Sequence, residues 1–225
     1  MMVKKHKTIK IKHQENKTIS FVLMIALALL VILGGLFLIF GGASNKVDYG
    51  TYNGFKFVQL GKNTWQTTVQ MNNKLYDIPF YNNPHDINKI NYNDNVTLHI
   101  MDLINTIRPK RRIIIAIHPD SGSIPVLAGV NIARITGKFY GANTSSALYL
   151  EDDEISDYAN STLPHVNCGD ADFLTTIIKI SVTENITSVD FLNQSTNCIL
   201  VGADSKDNLL MAADELGYKL LGIMK

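Results

Sequence analysis

The run "IIIAIHPDSGSIP" carries the residues best placed for chemistry: His118, Asp120, Ser121 and Ser123, with Gly122 between the serines. An imidazole, a carboxylate and two hydroxyls follow a short, continuous apolar stretch at 113–117. Such a stretch reads as a strand covered on both faces. In open α/β sheets, ligands bind beyond the carboxyl ends of strands, often where the next helix begins. A glycine there would let the backbone approach an anion. The plainer reading is a turn closed by Asp120 or Ser121 and a helix capped by Ser123. No Walker glycine–lysine signature, GxGxxG or GxSxG elbow is present, so nucleotide binding and serine hydrolysis lack their motifs, and no catalytic residue is assigned.

The only two cysteines are Cys168 and Cys198, in "HVNCGDADFL" and "STNCILVGAD". A redox pair, a metal or nucleophile site and a structural bridge are the alternatives. No CxxC, HxH or HExxH spacing pre-forms half a metal site among the six histidines, so neither metal nor cofactor is expected. The compartment then decides between thiols and a bridge. Outside the cytoplasm a Cys168–Cys198 disulfide is the default, and it would tie the last strand–helix unit to the segment before strand 176–182.

Other clusters carry less. "EDDEISD" (151–157) is acidic but has no calcium-loop spacing, and reads as a solvated loop. "RPKRR" (108–112) precedes the buried strand, where basic residues guard against aggregation or touch an anionic surface. Sequons occur at Asn95, Asn143, Asn160, Asn185 and Asn193; Asn143 and Asn160 fall in expected loops and are the glycosylation candidates. Trp65, Tyr76 and Tyr81 could line a carbohydrate or peptide groove, although at strand spacing aromatics more often pack.

The elements that must position these residues begin with a membrane segment. Residues 21–40, "FVLMIALALLVILGGLFLIF", contain no charged or amide side chain. As a helix they would span about 30 Å, the thickness of a bilayer's hydrocarbon core. Residues 1–19 carry six lysines against Glu15, while the chain as a whole is only +1, so the rest is net acidic. The positive-inside rule puts the basic tail in the cytoplasm and the remainder outside. A cleaved secretory signal is the rival, since Gly41 and Ala43 suit a cleavage site, but a signal's apolar stretch is only about 7–15 residues long. Either way the body of the protein faces out, and nucleic acid is not an expected partner.

The expected order is a cytoplasmic tail at 1–20, an uncleaved anchor at 21–41 and a polar tether at 42–53. A β-meander subdomain at 54–90 and an α/β domain at 91–225 follow. Trp65, Thr67, Val69 and Met71 alternate with polar residues, as do Tyr76, Ile78 and Phe80, and 55–60 supplies a third antiparallel strand. Val96, Ile100, Leu103 and Ile107 have helical spacing, and 124–137 reads as a helix with Pro125 in its first turn. Strands are expected at 147–150, 176–182, 187–192 and 198–202. A last helix, capped by Asp204 or Ser205, places Leu209, Ala212, Ala213, Leu216 and Leu220 on one face against the sheet. The fold class is therefore α/β or α+β, a mixed-sheet extracytoplasmic domain behind an N-terminal transmembrane helix.

The block "NCILVGADSKDNLLMAADELGYKLLGIM" with "VNCGDA" at 166–171 resembles small membrane-anchored archaeal proteins. The resemblance covers roughly a quarter of the chain, implies a surface location and brings no activity with it. The expected role is a single-pass plasma-membrane protein whose outer domain binds another surface protein or an envelope polymer. An envelope hydrolase acting on glycan or peptide, centred on His118–Ser123, and an accessory subunit of a membrane complex are the alternatives. For the hydrolase, Asp120 and a second acid or histidine should converge in a pocket beyond strand 113–117.

Overall fold

The computed structural model describes residues 47–71, 73–87, 90–105, 111–151, 154–183, 187–193 and 197–225. The tail and anchor expected at 1–41 lie outside them, as do Ile107, Pro109, Asp152, Asp153 and Asn185. Among the described residues no helix is long and apolar enough to cross a membrane.

Four antiparallel strands open the fold: β1 (Val47–Tyr52), β2 (Phe55–Gly61), β3 (Thr64–Met71) and β4 (Lys74–Phe80). The first of them falls within the stretch expected to be a tether, so the meander has four strands and not three. Its polar sequence hides the strand because β1 lies at the sheet edge, where no apolar alternation is required. Phe57, Val69, Ile78 and Phe80 form the buried face.

The second sheet has seven strands in the order β5-β10-β11-β9-β6-β7-β8. These are β5 (Asn91–Tyr92), β6 (Arg112–Ile117), β7 (Thr144–Tyr149), β8 (His165–Val166), β9 (Thr175–Val182), β10 (Ser188–Asn193) and β11 (Cys198–Ala203). From β11 to β8 all five strands run parallel, while β10 is antiparallel to β11. The chain passes from β6 to β7 and β8 on one side, then returns to place β9 on the other side of β6. That reversal opens a crevice at the carboxyl ends of the strands.

Three helices, α1 (Asp94–Asn105), α2 (Ser123–Ala133) and α3 (Lys206–Leu220), share one core with the meander and one face of this sheet. Alternate residues divide between the faces: Ile113 and Ile115 enter the main core, Ile114 and Ala116 a smaller cluster on the far side. Both faces of β6 are thus apolar, as its unbroken run requires. On α1, Val96, Ile100 and Leu103 are buried. On α3 the whole expected stripe is buried, with Ser205 as the cap, its hydroxyl accepting from the Asn208 amide at 3.3 Å. Each leucine of the stripe, fully buried, contributes about 1.5–3 kcal/mol. The helix expected over 124–137 is regular only to Ala133 and continues through Arg134–Phe139 as a π-helical turn.

Gly217 lies at a close approach between α3 and its neighbours. A Cβ there would lie 2.7 Å from Ile135 Cδ1 and 3.1 Å from Phe80 Cε1. One turn earlier, the fully buried carboxylate of Asp214 holds the exit of β4. Its Oδ2 accepts from the backbone N–H groups of Tyr81 (2.8 Å) and Asn82 (2.7 Å) and from Asn82 Nδ2 (2.9 Å). Its Oδ1 accepts from Asn131 Nδ2 on α2 at 3.1 Å. Burial pushes this carboxyl up to about 7, against the pull of the four N–H donors.

The far face is braced by the disulfide between Cys168 and Cys198. Cys198 begins β11 and is fully buried; Cys168 begins a short 3-10 turn, Cys168–Asp170, held by a capping box between Asn167 and Asp170. The bridge joins the two segments as expected, with a sequence separation of 30.

Candidate functional site

A cleft of about 660 Å³ lies at the carboxyl ends of β6, β7, β9 and β11. Three of the parallel strands, with the turns that follow them, deliver polar groups to it. β6 delivers His118, Asp120 and Ser121, the turn after β7 delivers Glu151 and Glu154, and β9 delivers Lys179, Ser181 and Thr183. Tyr149, the last residue of β7, and Lys206, the first of α3, complete the lining. The volume is within the range of small-molecule sites.

The loop after β6 is built by its own residues. Pro119–Ser121 is one 3-10 turn, in which His118 Nδ1 accepts from the Asp120 amide at 3.2 Å. The Ser121 hydroxyl donates to the His118 carbonyl at 2.6 Å. Gly122 then adopts φ +82°, a conformation that favours glycine, and turns the chain into α2. Ser123 is the first residue of α2 and not its cap; Gly122 occupies the cap position, with no side-chain bond. Ser123 is exposed and lies outside the cleft. The structure therefore brings His118, Asp120 and Ser121 together and leaves Ser123 out.

Three links cross the cleft wall. His118 Nε2 is 3.1 Å from Glu154 Oε1, and the other Glu154 oxygen accepts from the Glu151 amide at 2.9 Å. That amide, followed by the His118 bond, holds the Glu154 carboxyl below its usual value. Tyr158 donates its hydroxyl to Asp120 Oδ2 at 2.6 Å, and this bond to a carboxylate pushes the phenol up to about 12. The Lys179 ammonium sits 3.7 Å over the Tyr149 ring and 3.8 Å from Glu151 Oε1. Partial burial lowers the Lys179 pKa, partly countered by Glu151 and Glu154.

These contacts define what the groups can do. Nδ1 of His118 accepts a hydrogen bond, so the neutral ring carries its hydrogen on Nε2 and donates it to Glu154. Both ring nitrogens are engaged in this arrangement. Asp120 is engaged by Tyr158, and the Ser121 hydroxyl by a backbone carbonyl. The wall is a set of polar groups bonded to one another, with the Lys179 ammonium, Ser181 and Thr183 beside it. Among the described residues no three His, Cys, Asp or Glu side chains converge to hold a metal ion.

Reading the sequence missed Glu154, Tyr158, Lys179 and Lys206. Lys179 had a signal: it is the one charge in the otherwise apolar or hydroxylic strand "TTIIKISV". Glu154 and Tyr158 had none beyond their acidic loop, because their approach to the β6 loop depends on the parallel order of β6 and β7. Of the glycosylation candidates, Asn143 and Asn160 are both exposed.

The fold and cleft together define an α/β domain with a crevice at the carboxyl ends of parallel strands. No family model, curated protein or solved structure matches the chain.

Proposed function

We propose that this protein is a membrane-anchored, extracytoplasmic binding domain, and that the cleft at the ends of β6, β7, β9 and β11 receives a surface component or envelope polymer. The observation that carries the reading is the engagement of both His118 nitrogens by Asp120 and Glu154. A general base needs a free lone pair within reach of the substrate proton, and this imidazole has none to offer. Preformed walls with fixed polar groups suit recognition, since little ordering cost remains when the ligand arrives. The disulfide fits an oxidising compartment, and the apolar run at 21–40 with its one-sided lysines fits an anchor.

The envelope hydrolase remains the second reading, because His118, Asp120 and Glu154 do gather at one cleft. Purified full-length protein, assayed against glycosidase, peptidase, esterase and phosphatase substrates, separates the two. Binding without turnover is the expected result. Turnover lost in His118→Ala and Glu154→Gln would replace the binding reading with the hydrolase.

A further inference from the structure

A second cleft, of about 450 Å³, lies where the meander meets the first turn of α3. Its lining differs in kind from the first. Trp65, the only tryptophan in the chain, and Tyr81 supply aromatic surface. Asn63, Gln59, Asp86 and Asp207 supply amides and carboxylates. Trp65 is half-buried, packed against the main core while lining the cleft.

The wall is also rigidly held. Trp65 stands between Gln59 on β2 and Phe80 on β4 in the meander ladder. Tyr81 and Asn82 are pinned through their backbone N–H groups to Asp214, and the Tyr218 hydroxyl donates to the Asn82 carbonyl at 2.6 Å. Asn83 Oδ1 accepts the His85 amide at 2.9 Å and fixes the short turn that presents Asp86. Gln59 donates to the Lys62 carbonyl at 3.0 Å, which leaves its own oxygen to accept. Against this fixed frame the Tyr81 hydroxyl, the Asn63 amide and the carboxylates of Asp86 and Asp207 have no side-chain partner among the described residues.

We infer that this cleft is a carbohydrate-binding site for a neutral pyranose. Aromatic rings of this kind pack on the apolar C–H face of a sugar ring. The amides donate and accept, and the carboxylates accept charge-assisted bonds from sugar hydroxyls. One lysine, Lys62, against two carboxylates leaves the cleft net acidic, which disfavours phosphate, sulfate and uronate ligands. The site is separate from the His118 cleft: Lys206 lines that one and Asp207 this one. It stands whether or not the first cleft binds anything.

Because Trp65 is the sole tryptophan, intrinsic fluorescence reads this site alone. The full-length chain, kept in a detergent without a sugar headgroup, is titrated with cellotriose, maltotriose and chitotriose, and separately with trilysine. The expected result is a saturable change in emission with at least one trisaccharide and none with trilysine. In the Asn63→Ala, Asp86→Asn double variant, half-saturation should rise about tenfold, the loss of about 1.4 kcal/mol of binding, while Lys179→Ala leaves it unchanged. By calorimetry, Trp65→Phe should weaken the same sugar and Trp65→Ala abolish it. No response to any of the three sugars overturns the inference. So does saturation by trilysine alone, which would make this a basic-peptide site, or a sugar response that the double variant leaves intact or Lys179→Ala removes.

Discussion

His118 Nε2 and Glu154 Oε1 lie 3.1 Å apart, and that contact joins the end of β6 to the loop after β7. It fixes the imidazole tautomer and, with the Glu151 amide on the other oxygen, shapes one wall of the cleft. Replacing Glu154 by alanine should therefore free the 154–160 loop without unfolding the domain. Hydrogen exchange should show faster exchange at the Glu151 amide, with an unchanged global unfolding midpoint. The pH dependence has a definite sign. The Glu154 carboxyl is held below its usual value, so the link is present at neutral pH and is lost as pH falls through that lowered value. An NMR titration following the Glu151 amide should show it.

The disulfide should account for a large share of stability. Closing a loop of 30 residues restricts the unfolded chain by about 3.6 kcal/mol on the chain-entropy view. Cys168→Ser with Cys198→Ser should lower the unfolding free energy by about 3–4 kcal/mol in urea. Cys198 is fully buried, so a serine there adds a desolvation cost, and Cys198→Ala should be milder.

Much of this architecture was legible in residue patterns, and the exceptions have physical causes. The α3 stripe from Leu209 to Leu220 and the alternation from Trp65 to Phe80 were readable because one face of each element is buried. The first strand was not, since an edge strand needs no apolar repeat, and "VDYGTY" offers none. The π-helical turn at Arg134–Phe139 was hidden because "RITGKF" keeps helical composition while its register shifts. At the site, His118, Asp120 and Ser121 were readable from an apolar strand running into a polar loop. Their partners come from loops 30 or more residues away, and strand order alone brings them close. Ser123 misled because Gly122, at φ +82°, takes the capping position that a serine usually fills.

Gly217 offers a packing test. An alanine Cβ would have to displace Ile135 and Phe80, joining two helices and the meander in one overcrowded contact. Gly217→Ala should destabilise by about 1–3 kcal/mol despite alanine's better helix propensity. Thermal unfolding checks this; a stabilised variant would mean that the meander packs elsewhere.

Asp214 and Glu215 give the domain a pH-dependent stability. Burial raises both carboxyls to about 7 in the folded state, well above their unfolded values. Their contribution is complete below about pH 4 and is lost as pH rises through 7, because the folded state holds protons that the unfolded chain releases. His99, whose pKa is lowered by burial, acts in the opposite sense, its contribution fading as pH falls. Two raised carboxyls outweigh it, Glu215 more weakly because it is partly open to solvent, so urea unfolding should show less stability at pH 8 than at pH 5. The difference should shrink in Asp214→Asn.

The central claim is that the cleft between β6, β7, β9 and β11 binds without catalysing. Its most direct test is co-sedimentation of the full-length chain with detergent-extracted envelope from its own host cell, wild type beside a Lys179→Ala, Lys206→Ala double variant. The wild type should bind saturably, the variant should lose about tenfold or more, and the envelope should be recovered chemically intact. Equal binding by the two proteins, or release of cleaved glycan or peptide by the wild type, would contradict it.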